Sequence, residues 1–396
     1  MKRYEIIDGL RGYFLVFMLI NHLVFVGGYW MLFINHNQLA FVEDAQGFVF
    51  LSGLLVGMVY SRKMAKKGYE QACQQIWDRA FEIYRYAIGI VMVVLAAQIV
   101  LPDAYRIWHD WLGYTTFDDP LRLAAIGTLL FQPTFMDILP QYVIYMIFAP
   151  PIIWLCMRGK WAYVAVASLI LWMAGQLGLQ RAATDFVNGW VLGGDDQGIR
   201  VSFNLFGWQI VFFSGLVAGV LTANRTIDWT TIFRPEATLI PKLCLMVCLF
   251  FLPLRIASAH ELLPQIVLDK FATMEIRSDF GPVYLLNFPA VAFGLVWLLI
   301  AGPRHSNIYV RRVAAGLTWL FSLSFLRLLG RHSLHVYVWH VIIVYAVFYI
   351  DQQTPEFSQV TKTLIALLSI VLLSIPALWR ERDRLIGGPP PKFANG

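Results

Sequence analysis

MKRYEIIDGLRGYFLVFMLINHLVF, residues 1–25, places Arg11 and His22 eleven residues apart in an otherwise apolar run. If the run is helical, eleven steps of about 100° return both side chains to within roughly 20° of one face, separated by about 16 Å along the axis. One polar stripe then enters a segment apolar enough to lie in a membrane. Ionisable groups at such depth cost free energy and mark a pathway or a reaction site.

The remainder of the chain supports the membrane premise. Of 396 residues, 58% are hydrophobic and 14% charged, where a soluble chain carries about 25% charge. Lys2 and Arg3 precede the first apolar run, but no small-residue cleavage site follows it and further apolar runs come directly after, so it reads as a retained helix. The four cysteines, Cys73, Cys156, Cys244 and Cys248, fall in cytoplasmic or intramembrane positions on the topology below, which gives no external disulfide framework. The helical spacing of Cys244 and Cys248 suits packing residues.

Runs able to cross about 30 Å of hydrocarbon are expected near 10–28, 45–61, 83–101, 138–157, 161–179, 204–222, 239–256, 283–301, 333–350 and 361–379. The expected fold is all-α, a polytopic bundle of about ten transmembrane helices in one domain, 1–385, with a disordered tail at 386–396. Placing both termini in the cytoplasm puts most of the 31 basic residues inside and most of the 25 acidic residues outside. The shorter apolar stretches Val313–Leu326 and Leu123–Phe131 are expected to be interfacial or re-entrant. The outer connections, with WHDWLGYTTFDD at 108–119 and NGWVLGGDDQG at 188–198, suit a carbohydrate, though interfacial aromatic belts have the same composition. The net charge of +6 is accounted for by topology and requires no nucleic-acid partner.

His22 has the residue type of a general base at neutral pH, although a lone intramembrane histidine also serves as a hydrogen-bonded packing residue. Asp8, three residues before Arg11, can pair with the guanidinium, leaving Arg11 donors for a phosphate or carboxylate; an interfacial arginine reaching headgroups explains the charge but not the shared face. Glu43 or Asp44, at the outer start of the second span, can orient the His22 ring as the acid of a triad does, and Asp44 equally fits a helix N-cap. Ser52 and Gly53 lie deeper as a small pair suited to helix packing. His340 can line the same cavity as His22, and Asp137, Trp208 and Gln209 stand at outer helix ends. His332 and His335 share a helix face but lack a third partner, so no metal site is expected.

Taken in order, D-G-L-R-G and Asn21–His22, then F-V-F-L-S-G through Ser52, L-P-Q-Y ending at Tyr142, Trp208–Gln209 and S-L-x-V-Y-V-W-H ending at His340 resemble the OpgC proteins. These are membrane succinyltransferases of osmoregulated periplasmic glucans, related to the acyltransferase-3 membrane family. The resemblance covers most of the chain and implies O-acyl transfer in the bacterial inner membrane, from cytoplasmic succinyl-CoA as co-substrate to glucose hydroxyls of a periplasmic β-glucan, with no bound cofactor. It implies His22 as catalytic base, Arg11 as the donor or phosphate contact and Asp8 as its partner. Asn21, Ser52, Asp137, Tyr142, Trp208 and Gln209 fall to substrate binding. The family has a carboxylate just ahead of the aromatic–Gly segment, where this chain has Gln46 and Gly47; Glu43 and Asp44 therefore stand together for it. The bilayer and the acyl-CoA and glucan substrates are the expected partners, with glucan-synthesis machinery or a second copy as further candidates. Two alternatives stay open: another acyl group or envelope glycan, and a transporter of a glycan or organic anion in which His22, Arg11 and Asp8 form a proton relay and clamp.

Overall fold

A computed structural model describes residues 5–191 and 200–385; the tail 386–396 and most of the NGWVLGGDDQG stretch lie outside them. The described residues form an all-helical bundle without a β-strand. Its long helices are α1 (Glu5–His22), α2 (Asp44–Lys67), α3 (Tyr69–Val100), α4 (Ile138–Met157), α5 (Trp161–Gln176), α6 (Leu205–Ala223), α7 (Leu239–Ala259) and α8 (Pro282–Ile300). After them come α9 (Ile308–Phe321), α10 (Ser324–Arg331), α11 (Ser333–Gln353), α12 (Gln359–Leu372) and α13 (Ile375–Leu385).

By length and composition eight helices can cross a membrane, or up to ten if each of two bent pairs crosses as one. The bent pairs are α5 with the helix that follows it, and α9 with α10, which meet at 54°. The expected first span, 10–28, differs from α1. That helix starts earlier, carries Glu5, Asp8 and Arg11, and ends at His22; Gly27 and Gly28, with φ of 72° and 69°, turn the chain beyond it. The stretch between the expected spans 45–61 and 83–101 is also helical. α2 runs on to Lys67 and α3 begins at Tyr69, leaving Gly68, with φ of 88°, as the whole turn. Leu123–Phe131 falls partly on a short helix, Pro120–Gly127, and Val313–Leu326 on the bent pair α9–α10.

Two helix pairs fix the centre of the bundle. α2 and α6 cross along Gly53-x-x-x-Gly57 and Gly215-x-x-x-Gly219, where a Cβ on any of the four would collide with the facing backbone: Gly53 with the Phe212 carbonyl, Gly57 with that of Leu216, Gly215 with that of Phe50 and Gly219 with that of Leu54. Lipid offers no hydrophobic gain for helix association, so such close backbone approach is the main source of packing energy. The same device joins α1 to the bent pair. Gly9 faces the Phe321 carbonyl, Gly12 that of Leu326, and Gly330 that of Asp8. The two glycines of D-G-L-R-G are therefore contact points, and they set the rotation of α1 that aims Arg11 and His22.

Gly215→Ala is expected to destabilise the folded protein by about 1–3 kcal/mol through overpacking. Gly89→Ala, in α3 with open space around it, is expected to stabilise by up to about 1 kcal/mol through helix propensity. Thermal unfolding of the two variants in detergent, in opposite directions from wild type, checks this.

Candidate active site

The C-terminal end of α1 meets the middle of α11. His22 Nδ1 lies 3.1 Å from His340 Nε2, the ring centroids are 5.3 Å apart, and His340 is fully buried. His340 Nδ1 is in turn hydrogen-bonded to the Tyr337 carbonyl oxygen one turn earlier. A carbonyl only accepts, so Nδ1 of His340 carries the proton there. In the neutral pair Nε2 of His340 then accepts from His22 Nδ1–H, which leaves the lone pair of His22 on Nε2. His22 lines the neighbouring cavity, and the second nitrogen of a fixed imidazole is what a general base needs. The orienting group expected from Glu43 or Asp44 is thus a histidine. Among the described residues no carboxylate bonds to His22.

That cavity has a volume of about 460 Å³ and is lined by residues from helix ends and connections of five regions. Asn21 and His22 come from α1, Glu43 and Asp44 from the start of α2, Thr134 and Asp137 from the approach to α4, Arg200 and Ser202 from the approach to α6, and Arg277 from the approach to α8. Asp44 is held by Asn21, whose Nδ2 donates to Oδ2 at 2.5 Å, and by Asn35 Nδ2 at 3.3 Å. It is the first residue of α2 and not its cap. Glu43 takes the cap position, its backbone N–H donating to Gln46 Oε1 at 3.1 Å in a capping box. Glu43 also faces Arg277, with Oε2 3.8 Å from Nε. Burial raises the Asp137 carboxyl above its ordinary range, opposed by the Ser202 hydroxyl and by the charge of Arg277.

Two of the connections that wall the cavity, those before α4 and α8, hold a bulky residue in the left-handed region, Phe135 with φ of 69° and Phe280 with φ of 50°. Such backbone costs free energy and persists only when the surroundings dictate it. Around Phe135 they do. Tyr337 and Tyr345 of α11 donate to the carbonyls of Phe135 and Thr134 at 2.8 and 3.1 Å, and the Phe135 ring lies over His22 with centroids 4.3 Å apart.

The other candidate residues fall into separate places. Trp208 is fully buried and its indole N–H donates to the Arg277 carbonyl at 3.0 Å, so it positions the wall of the cavity from behind. Gln209 is buried against α5, where its Nε2 donates to the Ser168 carbonyl and its Oε1 accepts from the Ser168 hydroxyl, both at 2.7 Å. Ser52 and Tyr142 share a small gap between α2 and α4 with Phe48 and Ile138. Arg11 lies beyond it: its guanidinium stands 5.4 Å from the Phe48 ring centroid and donates to Ser333 Oγ at 2.5 Å. Asp8 is buried one turn before it. His332 and His335 diverge, the first to Glu381 and the second to the Tyr86 hydroxyl. Arg200 and Arg277 were not apparent from sequence. Each lies in a connection between long helices, and nothing in the local pattern aims either at His22.

A polytopic helical membrane bundle with a paired-histidine cavity, lined by carboxylates and arginines at its helix ends, is the class that fold and site define. The family model described as OpgC protein matches residues 3–385, and the chain belongs to the OpgC family. A stretch of 108 residues, 27% of the chain, is 33% identical to NADH-ubiquinone oxidoreductase chain 6 of Struthio camelus, and covers 57% of that protein. The chain thus spans little more than half the length of this curated relative. No solved structure matches the chain.

Asp137→Asn tests the buried carboxyl. A folded-state value raised above the ordinary 3.8 means that the native protein keeps this proton to higher pH than the unfolded chain, so stability falls as pH rises from that value through the folded one. The variant is expected to gain thermal stability over wild type at pH 8 and not at pH 4, measured in the same detergent.

Proposed function

We propose that this protein is a membrane O-acyltransferase that moves a succinyl group from cytoplasmic succinyl-CoA to glucose hydroxyls of osmoregulated periplasmic glucans, in the bacterial inner membrane with both termini in the cytoplasm. The observation that carries the reading is the ordered chain from the Tyr337 carbonyl through His340 to His22, which presents an unprotonated Nε2 to a cavity large enough for a sugar. Family membership supports the reaction class.

In the proposed step the glucose hydroxyl enters the cavity beside His22. Nε2 takes its proton as the oxygen attacks the thioester carbonyl carbon. The tetrahedral intermediate collapses, the C–S bond breaks, and the sulfur leaves with the proton that His22 took up. Ester and free thiol are the products, and no charge or atom is left over. His340 holds the ring of His22 and accepts from Nδ1–H, which favours the reactive tautomer as the buried acid does in a catalytic triad. Arg11 lies at the other end of the α1 stripe, about 16 Å away by helix rise, a span suited to a pantetheine arm. Its guanidinium faces the anionic side of the donor, and Asp8 helps to hold it. Asn21 acts through Asp44, fixing the carboxylate that lines the sugar side. A direct attack is preferred over an acyl-enzyme because Ser52, packed against Tyr142 in a separate gap, has no base beside it.

His22→Ala is expected to lower turnover by at least about 10²-fold while the protein stays folded in the membrane. His340→Phe should lose a comparable factor, and His340→Asn, which can still accept from His22 Nδ1–H, should retain more. Arg11→Ala is expected to raise KM for the donor more than it lowers kcat. Mass spectrometry of periplasmic glucans from cells expressing each variant reads the first two; a succinyl increment that persists with His22→Ala overturns the assignment.

A further inference from the structure

Arg200 is a charged group of the cavity that the proposed chemistry has not used. Its backbone is fastened to the strained connection before α4, donating N–H to the Leu130 carbonyl at 3.1 Å and accepting from Gln132 N–H at 2.8 Å. Its guanidinium is fastened to the same connection and to the short helix His109–Leu112, by Nη1 to the Trp111 carbonyl, Nη2 to the Asp110 carbonyl, both at 3.2 Å, and Nη2 to Thr134 Oγ1. All three acceptors are neutral. They hold the fork in place without cancelling its charge, and of the five N–H donors of an arginine Nε–H and one on Nη1 have no acceptor among the described residues.

The cavity's own carboxylates are engaged elsewhere: Asp44 with Asn21 and Asn35, Glu43 with Arg277, and Asp137 with Ser202. No carboxylate of the described residues forms an ion pair with Arg200. A fixed guanidinium with spare donors on a cavity wall fits a mobile anion, above all a carboxylate, which matches its planar fork. The position is also informative. Thr134, which Arg200 holds, is next to Phe135, whose ring covers His22, and Arg200 and His22 line the same cavity.

We propose that Arg200 binds the free carboxylate of a dicarboxylic acyl group and thereby selects succinyl over an uncharged acyl chain. The inference rests on the acyl transfer proposed above and adds a specificity-determining residue to it. Glucose units offer hydroxyls and no charge. A succinyl thioester carries its carboxylate three C–C bonds of ~1.5 Å from the reacting carbonyl, and Arg200 and His22 line the one cavity that would take both ends. The CoA phosphates are at the far end of the pantetheine arm. An acyl group without the carboxylate would leave the guanidinium without an anionic partner, and a site built to bind a polar group discriminates strongly against the analogue that lacks it.

The test compares succinyl-CoA with butyryl-CoA, which has the same four-carbon chain and no carboxylate, as donors to purified full-length protein in lipid nanodiscs with a neutral β-glucan acceptor. Wild type is expected to favour succinyl-CoA in kcat/KM. Arg200→Gln is expected to reduce that ratio about 10- to 100-fold, as for loss of a charge-assisted hydrogen bond; Arg200→Lys, which keeps the charge without the fork and secures the test if the glutamine variant does not fold, should fall between. A ratio unchanged in both variants, while transfer still depends on His22, overturns the role of Arg200 and leaves the transferase reading standing. Loss of selectivity in Arg277→Gln but not in Arg200→Gln also overturns it. Absence of transfer from either donor in wild type overturns the transferase reading, and this inference with it.

Discussion

Backbone carbonyls pressed against glycine Cα atoms hold this molecule in register. Where α1 meets the bent pair α9–α10, Gly9, Gly12 and Gly330 each sit on a carbonyl of the opposing helix, and neither helix can slide or rotate without a clash. α10 passes through the single residue His332 into α11, which carries His340. The rotation of α1 and the position of His340 are therefore set by one contact surface. An error there of one helical step would turn His22 away by about 100°. The α2–α6 crossing does the same for the carboxylates at the start of α2. In a lipid solvent, where burial of a leucine gains little, precision of this kind has to come from contact at backbone distance.

The pairing of His22 with a second histidine gives the site a different electrostatic character from one built on a buried acid. A carboxylate beside an imidazole stabilises its protonated form; a neutral imidazole does so only weakly, by hydrogen bonding. The arrangement fixes tautomer and direction with no permanent charge in the bundle interior, where an ion is costly. Charges are concentrated instead at the helix ends around the cavity, where Arg277 and Glu43 face each other and Arg200 is held by neutral acceptors. The tryptophan behind Arg277 shows how a buried side chain serves such a wall: the indole of Trp208 holds a carbonyl and leaves the guanidinium to the cavity.

What a single helix encodes was legible in the sequence. The eleven-residue spacing put Arg11 and His22 on one face, the apolar runs located most of the long helices, and the acidic start of α2 and Asp137 both proved to line the cavity. His340 was legible as a second histidine in the interior, though not as the partner of the first. The limits are equally physical. Asp44 has the residue type of an N-cap, but Glu43 takes that position because Gln46 returns its hydrogen bond and Asn21 and Asn35 claim Asp44. Trp208 and Gln209 look like substrate contacts at an outer helix end, and their side chains are spent on Arg277 and Ser168. Arg200 reaches the site only because the connection before α6 pairs with the connection before α4, a tertiary event that leaves no periodicity in either segment.

Gly68 alone joins α2 to α3. α3 has 32 residues, and at 1.5 Å per residue it measures about 48 Å, well beyond the ~30 Å of a hydrocarbon core. A part of the hairpin, the end bearing Glu70, Asp78 and Arg79, therefore projects from the lipid. With no slack in the turn, α2 and α3 must shift depth together. A thicker or thinner bilayer would be met by tilting of the whole hairpin, and α2 would carry its far end, with Glu43 and Asp44, along the same arc. The composition of the surrounding lipid thus has a mechanical route to the shape of the cavity.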